Sequence, residues 1–441
     1  MSRPRIVVVG AGFAGFTAAR KLTKLSRGGA DIVLINPTDY FLYLPLLPEV
    51  AAAVLEPRRV TVSLFRTLPG VRMVLGEVDE FDLDNRTVGW RDPEGGRGSI
   101  GYHRLVIAVG SVNKLLPVPG VTEYAHGFRG IPEALFLRDQ ITRQIEMAAT
   151  ESDEQLRRAR CTFVVVGAGY TGTEVAAQGA LYTERLIAER PELAGKARWL
   201  LADTAERVLP TLDVRLGRAA EQVLRRRGVE VLTGTSVKEA SHDGVHLSTG
   251  EYVATRSLIW CVGVRPDPVV DGLGLPTEQG RLVVDEYLTV PGHPDVYAIG
   301  DAAAVPDLTR PGEITGMTAQ HAVRQGAAAA ANIAASYGSG RRRAYRHHDL
   351  GFVVDLGGID AAANPLGIPM SGPAAKAVTR GYHLLSMPGN RARVAADWLL
   401  DAVLPRQGVQ LGLVPSRAVP LDSAVPEAMP NTGMTQQRQP A

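Results

Sequence analysis

Two stretches of the sequence share one pattern: Arg5 to Gly15 reads RIVVVGAGFAG, and Thr162 to Gly172 reads TFVVVGAGYTG. Each begins with an apolar run typical of a buried strand and continues through a GAGxxG turn into an Ala-rich segment typical of a helix. In such a turn the first glycine makes the bend, the second lets the backbone approach a pyrophosphate, and the third lets the helix pack on the strand. One motif is weak evidence, but two in the same chain predict two βαβ dinucleotide-binding units.

The turns and the strands that follow them supply the first candidate binding residues. The six glycines are Gly10, Gly12, Gly15, Gly167, Gly169 and Gly172. In the second unit the next strand ends at Asp203, whose carboxylate can bind a ribose 2′-hydroxyl and repel a 2′-phosphate, which favours NADH over NADPH. An exposed loop aspartate is the alternative, because the spacing from the turn is long and Arg207 lies nearby. The first unit has Asn36 at this place, and its neutral amide can still hydrogen-bond a ribose.

Length and composition fit a multidomain globular enzyme. The chain has 441 residues, more than one ordinary hydrophobic core holds, so we expect two or three domains. A net charge of +2 does not favour nucleic-acid binding, which requires sustained neutralisation of phosphates. Cys161 and Cys261 are far apart, and neither has a second cysteine two or three residues away. The sequence therefore predicts no disulfide framework, no CxxC redox pair and no Cys-rich zinc site.

The sequence also carries no signal for export or for a membrane span. No run reaches the roughly 18 uninterrupted apolar residues that a spanning helix needs. The first ten residues lead directly into the strand-like Ile6 to Val9, which leaves no room for a secretory signal. We therefore expect a cytoplasmic chain whose membrane contact, if any, is peripheral.

Between and after the glycine turns the chain alternates apolar strands with helical segments. One apolar strand ends at Gly110, and another closes at Gly300 and Asp301. A long charged stretch, 131–160, is predicted to form a helix that leads into the second unit. Residues 415–441 are rich in Pro, Gln and Ser without periodicity, so we expect a disordered tail.

The chain resembles the type II NADH dehydrogenases, which are single-subunit, non-pumping NADH:quinone oxidoreductases among the FAD-dependent flavoproteins with two dinucleotide-binding domains. The matching stretches are RIVVVGAGFAG, DYFLYLPLLPEVA (Asp39 to Ala51), LVIAVGS, FVVVGAGYTGTE, LIWCVGVRP, DVYAIGDAA, AQHAVRQ (Ala319 to Gln325) and the Tyr382 to Gln407 region. They extend from about residue 5 to residue 413. The glycine motifs occur in many relatives, whereas DYFLYLPLLPEVA together with AQHAVRQ is more selective.

The resemblance implies an α/β fold with two Rossmann-like domains, one for FAD and one for NADH, the second inserted in the first. A small C-terminal α+β module would associate with the membrane. The implied boundaries are 1–112 and 269–340 for the two parts of the FAD-binding domain, 113–268 for the NADH-binding domain with its connecting helix, 341–414 for the C-terminal module and 415–441 for the tail.

The resemblance also implies which residues hold the two cofactors. FAD would bind at Gly10, Gly12, Gly15, Asn36, Pro45, Gly110, Gly300, Asp301 and Ala319. In this set Asp301 would accept hydrogen bonds from the ribityl region, a role that could coexist with capping of a following helix. NADH would bind at Gly167, Gly169, Gly172, Asp203 and Gly263.

Three further residues are candidates for catalysis. Glu174 follows the second motif, on what we expect to be the first turn of its helix, and the resemblance implies that it tunes hydride transfer or proton uptake. The alternative is that Glu174 is merely a carboxylate stabilised by the helix dipole near the helix N-terminus.

Gln320 and Gln325 would hydrogen-bond a quinone carbonyl, although periodicity alone predicts only an ordinary Ala-rich helix. Leu44 departs from the family, where many relatives carry a polar residue beside the equivalent of Pro45.

The C-terminal segment is predicted to form amphipathic helices. Its apolar positions are Val378, Tyr382, Leu385, Val394, Trp398, Leu399, Ala402 and Val403. Such a face usually packs in the protein's own core. Flanking Arg380, Arg391 and Arg406 and an interfacial Trp398 would also suit a helix in the lipid headgroup plane, and the resemblance favours that alternative. The adjacent His347 and His348 are interpreted as part of a solvated basic linker, and no metal site is predicted.

The function implied by the resemblance is electron transfer from NADH through FAD to a membrane quinone of the menaquinone or ubiquinone class. The enzyme would lie on the cytoplasmic, inner face of the cell membrane, and a homodimer remains open. Two alternatives share the same core. One is a reductase with a ferredoxin-like protein as its acceptor, and the other is a non-catalytic NADH-sensing flavoprotein.

Overall fold

A computed structural model of the chain describes residues 3–422. Its first segment forms a βαβ unit followed by small strands and short helices. The elements are β1 (Arg5–Val9), α1 (Phe13–Ser26), β2 (Asp31–Asn36), β3 (Tyr40–Leu42), α2 (Leu47–Ala51), α3 (Pro57–Val60), β4 (Thr61–Ser63), α4 (Leu64–Thr67), β5 (Val71–Leu75), β6 (Glu77–Asp82), β7 (Thr87–Arg91), β8 (Arg97–Gly101), β9 (Arg104–Ile107) and β10 (Ser111–Asn113). Strand β1 is almost wholly buried, as expected for a parallel strand covered on both faces.

The middle of the chain repeats this construction. Its elements are α5 (Val121–Tyr124), β11 (Ala125–Gly127), α6 (Ile131–Thr150), α7 (Glu154–Arg160), β12 (Thr162–Val166), α8 (Tyr170–Ala188), β13 (Arg198–Asp203), α9 (Val214–Arg226), β14 (Val229–Thr233), β15 (Val237–Ser241), β16 (Gly244–Leu247), β17 (Tyr252–Ala254), β18 (Ser257–Trp260) and β19 (Val264–Pro266). Five of these strands form a parallel sheet in the order β11-β18-β12-β13-β14.

The chain then returns to the first unit. The returning elements are β20 (Thr277–Glu278), β21 (Arg281–Val283), β22 (Thr289–Val290), β23 (His293–Ala298), β24 (Ala303–Ala304) and α10 (Ala319–Ser336). The first sheet has the order β22-β23-β9-β1-β2-β5, so β23 pairs in parallel with β9 although the whole second unit lies between them in the sequence. Where the chain crosses between the two units, β10 pairs with β19. The predicted insertion of the second dinucleotide-binding unit into the first is therefore confirmed.

The C-terminal part has α+β composition. It contains β25 (Val353–Asp355), β26 (Ala361–Ala363), β27 (Met370–Ser371), α11 (Gly372–Ser386) and α12 (Arg391–Val403). The side chain of Asn390 donates to the carbonyl of Thr61, and Arg59 pairs with Asp397 at 2.8 Å. Arg227, just after α9, pairs with Asp360 at 2.8 Å. These contacts join the C-terminal part to both dinucleotide-binding units.

Two segments differ from the sequence prediction. The predicted helix over 131–160 is divided into α6 and α7, because the carboxylate of Asp153 accepts from the N–H groups of Gln155 and Leu156 and begins a new helix. Val419 and Leu421 are buried, so packing continues past residue 415, where a disordered tail is predicted. The rest of that predicted tail, 423–441, lies outside the described residues.

None of the helices within residues 3–422 combines the length and the apolar composition that crossing a bilayer requires. Over the same range, His, Cys, Asp and Glu form no group of three or more that could hold a metal ion.

Candidate active site

The first glycine turn has two glycines that the fold requires and one that faces open space. Gly10 has a φ of +94°, and a Cβ there would lie 2.3 Å from the carbonyl oxygen of Ala108. A Cβ on Gly15 would lie 1.9 Å from the carbonyl oxygen of Gly10. At Gly12, before α1, an added Cβ would meet nothing within 4 Å. The open backbone at Gly12 fits the close approach of a phosphate.

The second turn repeats this geometry. Gly167 has a φ of +106°, and a Cβ there would lie 2.2 Å from the carbonyl oxygen of Cys261. A Cβ on Gly172 would lie 1.8 Å from the carbonyl oxygen of Gly167, while one on Gly169 would meet nothing within 4 Å. Neither α1 nor α8 has a side-chain cap or an acidic residue in its first turn. The first-turn N–H groups of both helices therefore form donor sets suited to a pyrophosphate.

Asn36 and Asp203 occupy equivalent places at the ends of β2 and β13. The N–H of Ala11 donates to Asn36 Oδ1 at 2.7 Å, and the N–H of Ala168 donates to Asp203 Oδ2. Asp203 Oδ1 also accepts from the N–H of Ala205 at 2.7 Å. Each side chain thus accepts a hydrogen bond from the alanine that lies between the first two glycines of its turn. Since helix α8 has 19 residues, the long spacing between the second turn and Asp203 is accounted for.

Gly110, Gly300 and Asp301 follow the carboxyl ends of β9 and β23, which are neighbours in the first sheet. Gly110 and Gly300 both have positive φ, +81° and +69°. Asp301 Oδ2 accepts from the hydroxyl of Ser111 at 2.7 Å. Burial raises the pKa of Asp301, while the hydrogen bond from Ser111 and the charge of Arg281 oppose that shift. A half-buried carboxylate at this edge suits acceptance of a hydrogen bond from a hydroxyl of a ligand on the first unit.

The two glutamines of AQHAVRQ point in different directions. Gln325 is 1% exposed; its Oε1 accepts from the N–H of Gly300 at 2.7 Å, and its Nε2 donates to Thr315 Oγ1 at 3.0 Å. The predicted contact of Gln325 with quinone therefore disagrees with its position, since its side chain is bonded to Gly300 and Thr315. Five residues separate Gln320 from Gln325, about 140° around a helix, so the two cannot share a face. Gln320 instead donates to the carbonyl of Gly351.

A cavity of about 310 Å³ lies between α1, the β3 region, α10 and α11. Its lining residues are Phe13, Phe16, Thr17, Arg20, Phe41, Tyr43, Pro45, Ala319, Gln320, Val323, Arg324, Leu350, Tyr382, Ser386 and Pro388. Three of the predicted site residues, Pro45, Ala319 and Gln320, meet on its wall. Most of the lining is aromatic or aliphatic, with polar groups at a few points, which is the composition expected for a site that binds an apolar ring.

Glu174 lies on α8, but not in its first turn. The helix begins at Tyr170, so Glu174 is its fifth residue and the prediction of a first-turn carboxylate is wrong. Its Oε1 accepts from the N–H of Asp355 at 2.8 Å, which joins the second unit to β25. Burial raises the pKa of Glu174 well above its usual range, and the nearby carboxylates of Asp355 and Glu49 add to that effect. Glu174 is therefore a candidate proton-holding group.

A buried group of charged residues beside Glu174 is not predicted from the sequence. Lys376 on α11 pairs with Asp355 at 2.5 and 2.6 Å, and both side chains are almost fully buried. Glu49 on α2 is buried as well, and burial raises its pKa to about 7. Its one signal in the sequence is a carboxylate within the apolar stretch DYFLYLPLLPEVA.

Trp398 is part of this buried region and not of an outer surface. Its indole N–H donates to Glu49 Oε2 at 2.5 Å, and the ring is 5% exposed. The expectation of an interfacial tryptophan is therefore wrong. The apolar side chains of α12 fall into two groups. Val394 and Trp398 pack inward, whereas Leu399 and Val403 are 66% and 68% exposed.

Gly263 and the C-terminal end of β18 complete the surroundings of the second turn. Gly263 has a φ of +104°, and its carbonyl accepts from the N–H of Lys114 at 3.1 Å. Cys261 precedes it, and burial raises the pKa of this thiol to about 12. The thiol is thus held neutral against the second glycine turn.

Comparison with known proteins agrees with this geometry. Residues 4–326 match the family described as pyridine nucleotide-disulphide oxidoreductase. The chain is 30% identical to the type II NADH:quinone oxidoreductase Ndh of Mycobacterium tuberculosis, over 92% of this chain and 89% of that protein. It is 32% identical to the type II NADH:quinone oxidoreductase NdhA of the same organism, over 89% of this chain and 86% of that protein. The chain belongs to the type II NADH:quinone oxidoreductases.

A solved structure shows that the fold extends over most of this type II NADH:quinone oxidoreductase. NDH2 from Plasmodium falciparum in complex with NADH has a TM-score of 0.85 and 17% sequence identity, covering 92% of this chain and all of that one. FAD and NADH are the cofactors of the type II family. The two glycine turns, with their uncapped helices, offer one donor set for each dinucleotide.

Proposed function

We propose that the chain is a non-proton-pumping NADH:quinone oxidoreductase. NADH would bind at the second glycine turn, FAD at the first, and a quinone in the cavity between α1, α10 and α11. Bound FAD would accept a hydride from NADH and supply two electrons for reduction of the quinone. The observation that carries the proposal is the cavity itself, because an apolar site opens where Pro45, Ala319 and Gln320 meet beside the first unit. The similarity to the two mycobacterial NADH:quinone oxidoreductases supports it.

At the NADH end, the chain's own groups bind and orient the nucleotide. The first-turn amides of α8 would hold the pyrophosphate at the open backbone of Gly169. The carboxylate of Asp203 already fixes the turn and leaves negative charge beside the ribose, which would disfavour a 2′-phosphate. Glu174, whose pKa is raised by burial, would take up a proton close to the reacting rings.

At the quinone end, the cavity provides an apolar binding surface with few polar contacts. Of the two predicted glutamines, Gln320 is the one whose side chain lines this surface. Gln325, held between Gly300 and Thr315, would act by keeping the loop of Gly300 and Asp301 in place. A substituted ring of the menaquinone or ubiquinone class fits such a lining, since both present a flat ring with two carbonyl oxygens.

The C-terminal part would bring this cavity to the membrane. Leu385, Leu399, Leu400 and Val403 expose large aliphatic side chains on α11 and α12, with Leu385 77% exposed. Arg391 and Arg393 are also exposed on α12. Aliphatic side chains together with nearby arginines suit peripheral contact with a lipid surface. We place the enzyme on the inner, cytoplasmic face of the cell membrane, where a homodimer is compatible with the same arrangement.

The test is anaerobic stopped-flow mixing of the purified yellow protein with NADH, followed by a short-chain quinone. We expect NADH to bleach the flavin absorbance and the quinone to restore it, with Gln320→Ala slowing the second step and leaving the first unchanged. If a ferredoxin-like protein but not quinone restored the flavin absorbance, the result would favour a reductase whose electron acceptor is a protein. A flavin that NADH does not bleach would refute the enzymatic role and favour the sensor.

A further inference from the structure

One buried polar pair on the cavity wall has no role so far. Tyr43, which follows β3, lines the cavity and is 2% exposed. Its hydroxyl lies 3.1 Å from Nδ1 of His383 on α11, and the two rings meet edge-on at 83°. Tyr43 also contacts the ring of Phe13, with centroids 5.9 Å apart. The hydroxyl is thus held between a buried imidazole and the space where a quinone ring would bind.

The surroundings keep both members of the pair electrically neutral. Burial raises the pKa of the Tyr43 phenol, so it retains its proton, and burial lowers the pKa of His383 to about 4. The groups that face the phenol are Tyr382 and Ser386, also on α11. A neutral imidazole has one N–H and one acceptor nitrogen, so two hydrogen-bond arrangements are available. When Nδ1–H donates to the phenol oxygen, the phenol hydrogen can turn toward the cavity.

His383 continues into a buried polar line along α11. Thr379 and Lys376 precede it by four and seven residues, which places all three on one side of the helix. All three are buried, and the hydroxyl of Thr379 has no hydrogen-bond partner among the described residues. Lys376 and its partner Asp355 are the charged groups that face His383. The line reaches from the cavity wall to a charged group, and its residues follow one another at about one helical turn.

We propose that Tyr43 donates a proton to one quinone oxygen and that His383 restores it. In this step the Tyr43 O–H bond breaks and a quinol O–H bond forms, with the electron pair derived from NADH. The Nδ1–H bond of His383 breaks as the phenol regains its proton, and an N–H bond of the Lys376 ammonium breaks as its proton passes by way of Thr379 to Nε2 of His383. His383 thereby exchanges its tautomer, and Lys376 regains a proton from solvent between turnovers. The second quinol proton comes from another donor. The proposal deepens the quinone reduction proposed above and depends on it.

The test compares Tyr43→Phe with the wild-type protein. The substitution keeps the buried ring and removes only the hydroxyl. General acid catalysis commonly contributes about 10²–10⁴-fold, so we expect kcat with quinone to fall at least about 10-fold. The rate at which NADH bleaches the flavin should be unchanged. The solvent deuterium isotope effect on flavin reoxidation by quinone should change in the variant, which loss of packing alone would not produce.

Two further variants separate a proton-transfer role from a structural one. Tyr182 on α8 is also buried and bonds Thr142 Oγ1 at 2.8 Å, away from the cavity, so Tyr182→Phe is the matched control and should keep its rate and isotope effect. His383→Gln can donate to Tyr43 but cannot exchange a proton at physiological pH, so it should slow the same step. The double variant Tyr43→Phe/His383→Gln should be no slower than the slower single variant, because the pair acts as a unit.

The outcomes distinguish the two proposals. If the wild-type protein reduces quinone and Tyr43→Phe does so at the same rate with the same isotope effect, the pair has no part in proton transfer. Additive losses in the double variant would also overturn the proposal. If quinone does not reoxidise the wild-type flavin at all, the proposed function itself fails, and the pair fails with it.

Discussion

The two open glycines allow one reciprocal experiment on cofactor assignment. Gly12 and Gly169 have ordinary negative φ values and nothing within 4 Å of an added Cβ, so alanine at either position is compatible with the fold. A methyl group there would occupy the space that a pyrophosphate needs in order to reach the first-turn amides. Gly12→Ala should therefore give a folded protein that loses flavin. Gly169→Ala should keep its flavin and lose affinity for NADH.

The expected loss follows from the number of hydrogen bonds displaced. Neither helix has a capping side chain, so its first-turn N–H groups are available to an anion. A hydrogen bond to a charged group contributes about 1.5–3 kcal/mol. Displacing a phosphate from two such N–H groups would cost about 3–6 kcal/mol, or roughly 10²–10⁴-fold in Kd.

Flavin content would be measured by visible absorbance and NADH affinity by anaerobic titration, with folding checked by circular dichroism. Gly15→Ala is the contrasting variant, because its methyl group would lie 1.9 Å from the Gly10 carbonyl oxygen and should disrupt the turn itself. If Gly12→Ala and Gly169→Ala both kept wild-type flavin content and NADH affinity, contact between these turns and pyrophosphates would be refuted. If the two phenotypes were exchanged, the order of the two cofactors would be wrong.

Two further predictions concern the buried charges beside Glu174. Lys376→Met leaves the Asp355 carboxylate buried without its partner, so we expect a loss of about 3–5 kcal/mol in the free energy of unfolding. Adding Asp355→Asn should recover part of that loss. A loss below about 1 kcal/mol in urea unfolding would contradict this prediction. Glu49 binds its proton more tightly in the folded protein, since burial raises its pKa from an ordinary 4.5 to about 7. The stability that this proton binding gives is complete below about pH 4.5 and is lost as the pH rises to about 7. The free energy of unfolding of Glu49→Gln should therefore rise relative to that of the wild-type protein across that window. A pH-independent difference would show that Glu49 does not titrate there.

The local features of the two nucleotide-binding turns could be predicted because their contacts lie close along the chain. Gly15 packs on Gly10, five residues earlier, and Gly172 packs on Gly167 in the same way. Spacing alone therefore determines the requirement for glycine. The place of Asn36 at the end of β2 also follows from the order of strand, turn, helix and strand, although its contact with Ala11 is visible only in the structure.

Two of the three errors concern the direction in which a helical side chain points, and the third concerns the position of a residue along its helix. Gln325 turns into the first unit and not into the cavity, and Trp398 faces Glu49. Glu174 lies just past the first turn of α8. Sequence periodicity identifies an apolar or polar side of a helix. It does not say which neighbouring element that side meets, or how far along the helix the contact falls.

By itself, the sequence determined two parallel βαβ units with two phosphate-binding turns, because these depend on backbone geometry over about a dozen residues. Only the tertiary structure decided the remainder of the site. Tyr43 meets His383 across 340 residues of sequence, and Glu49 meets Trp398 across 349. A hydrogen bond between such distant residues depends on how separately formed elements pack against one another, and no local sequence pattern predicts that packing.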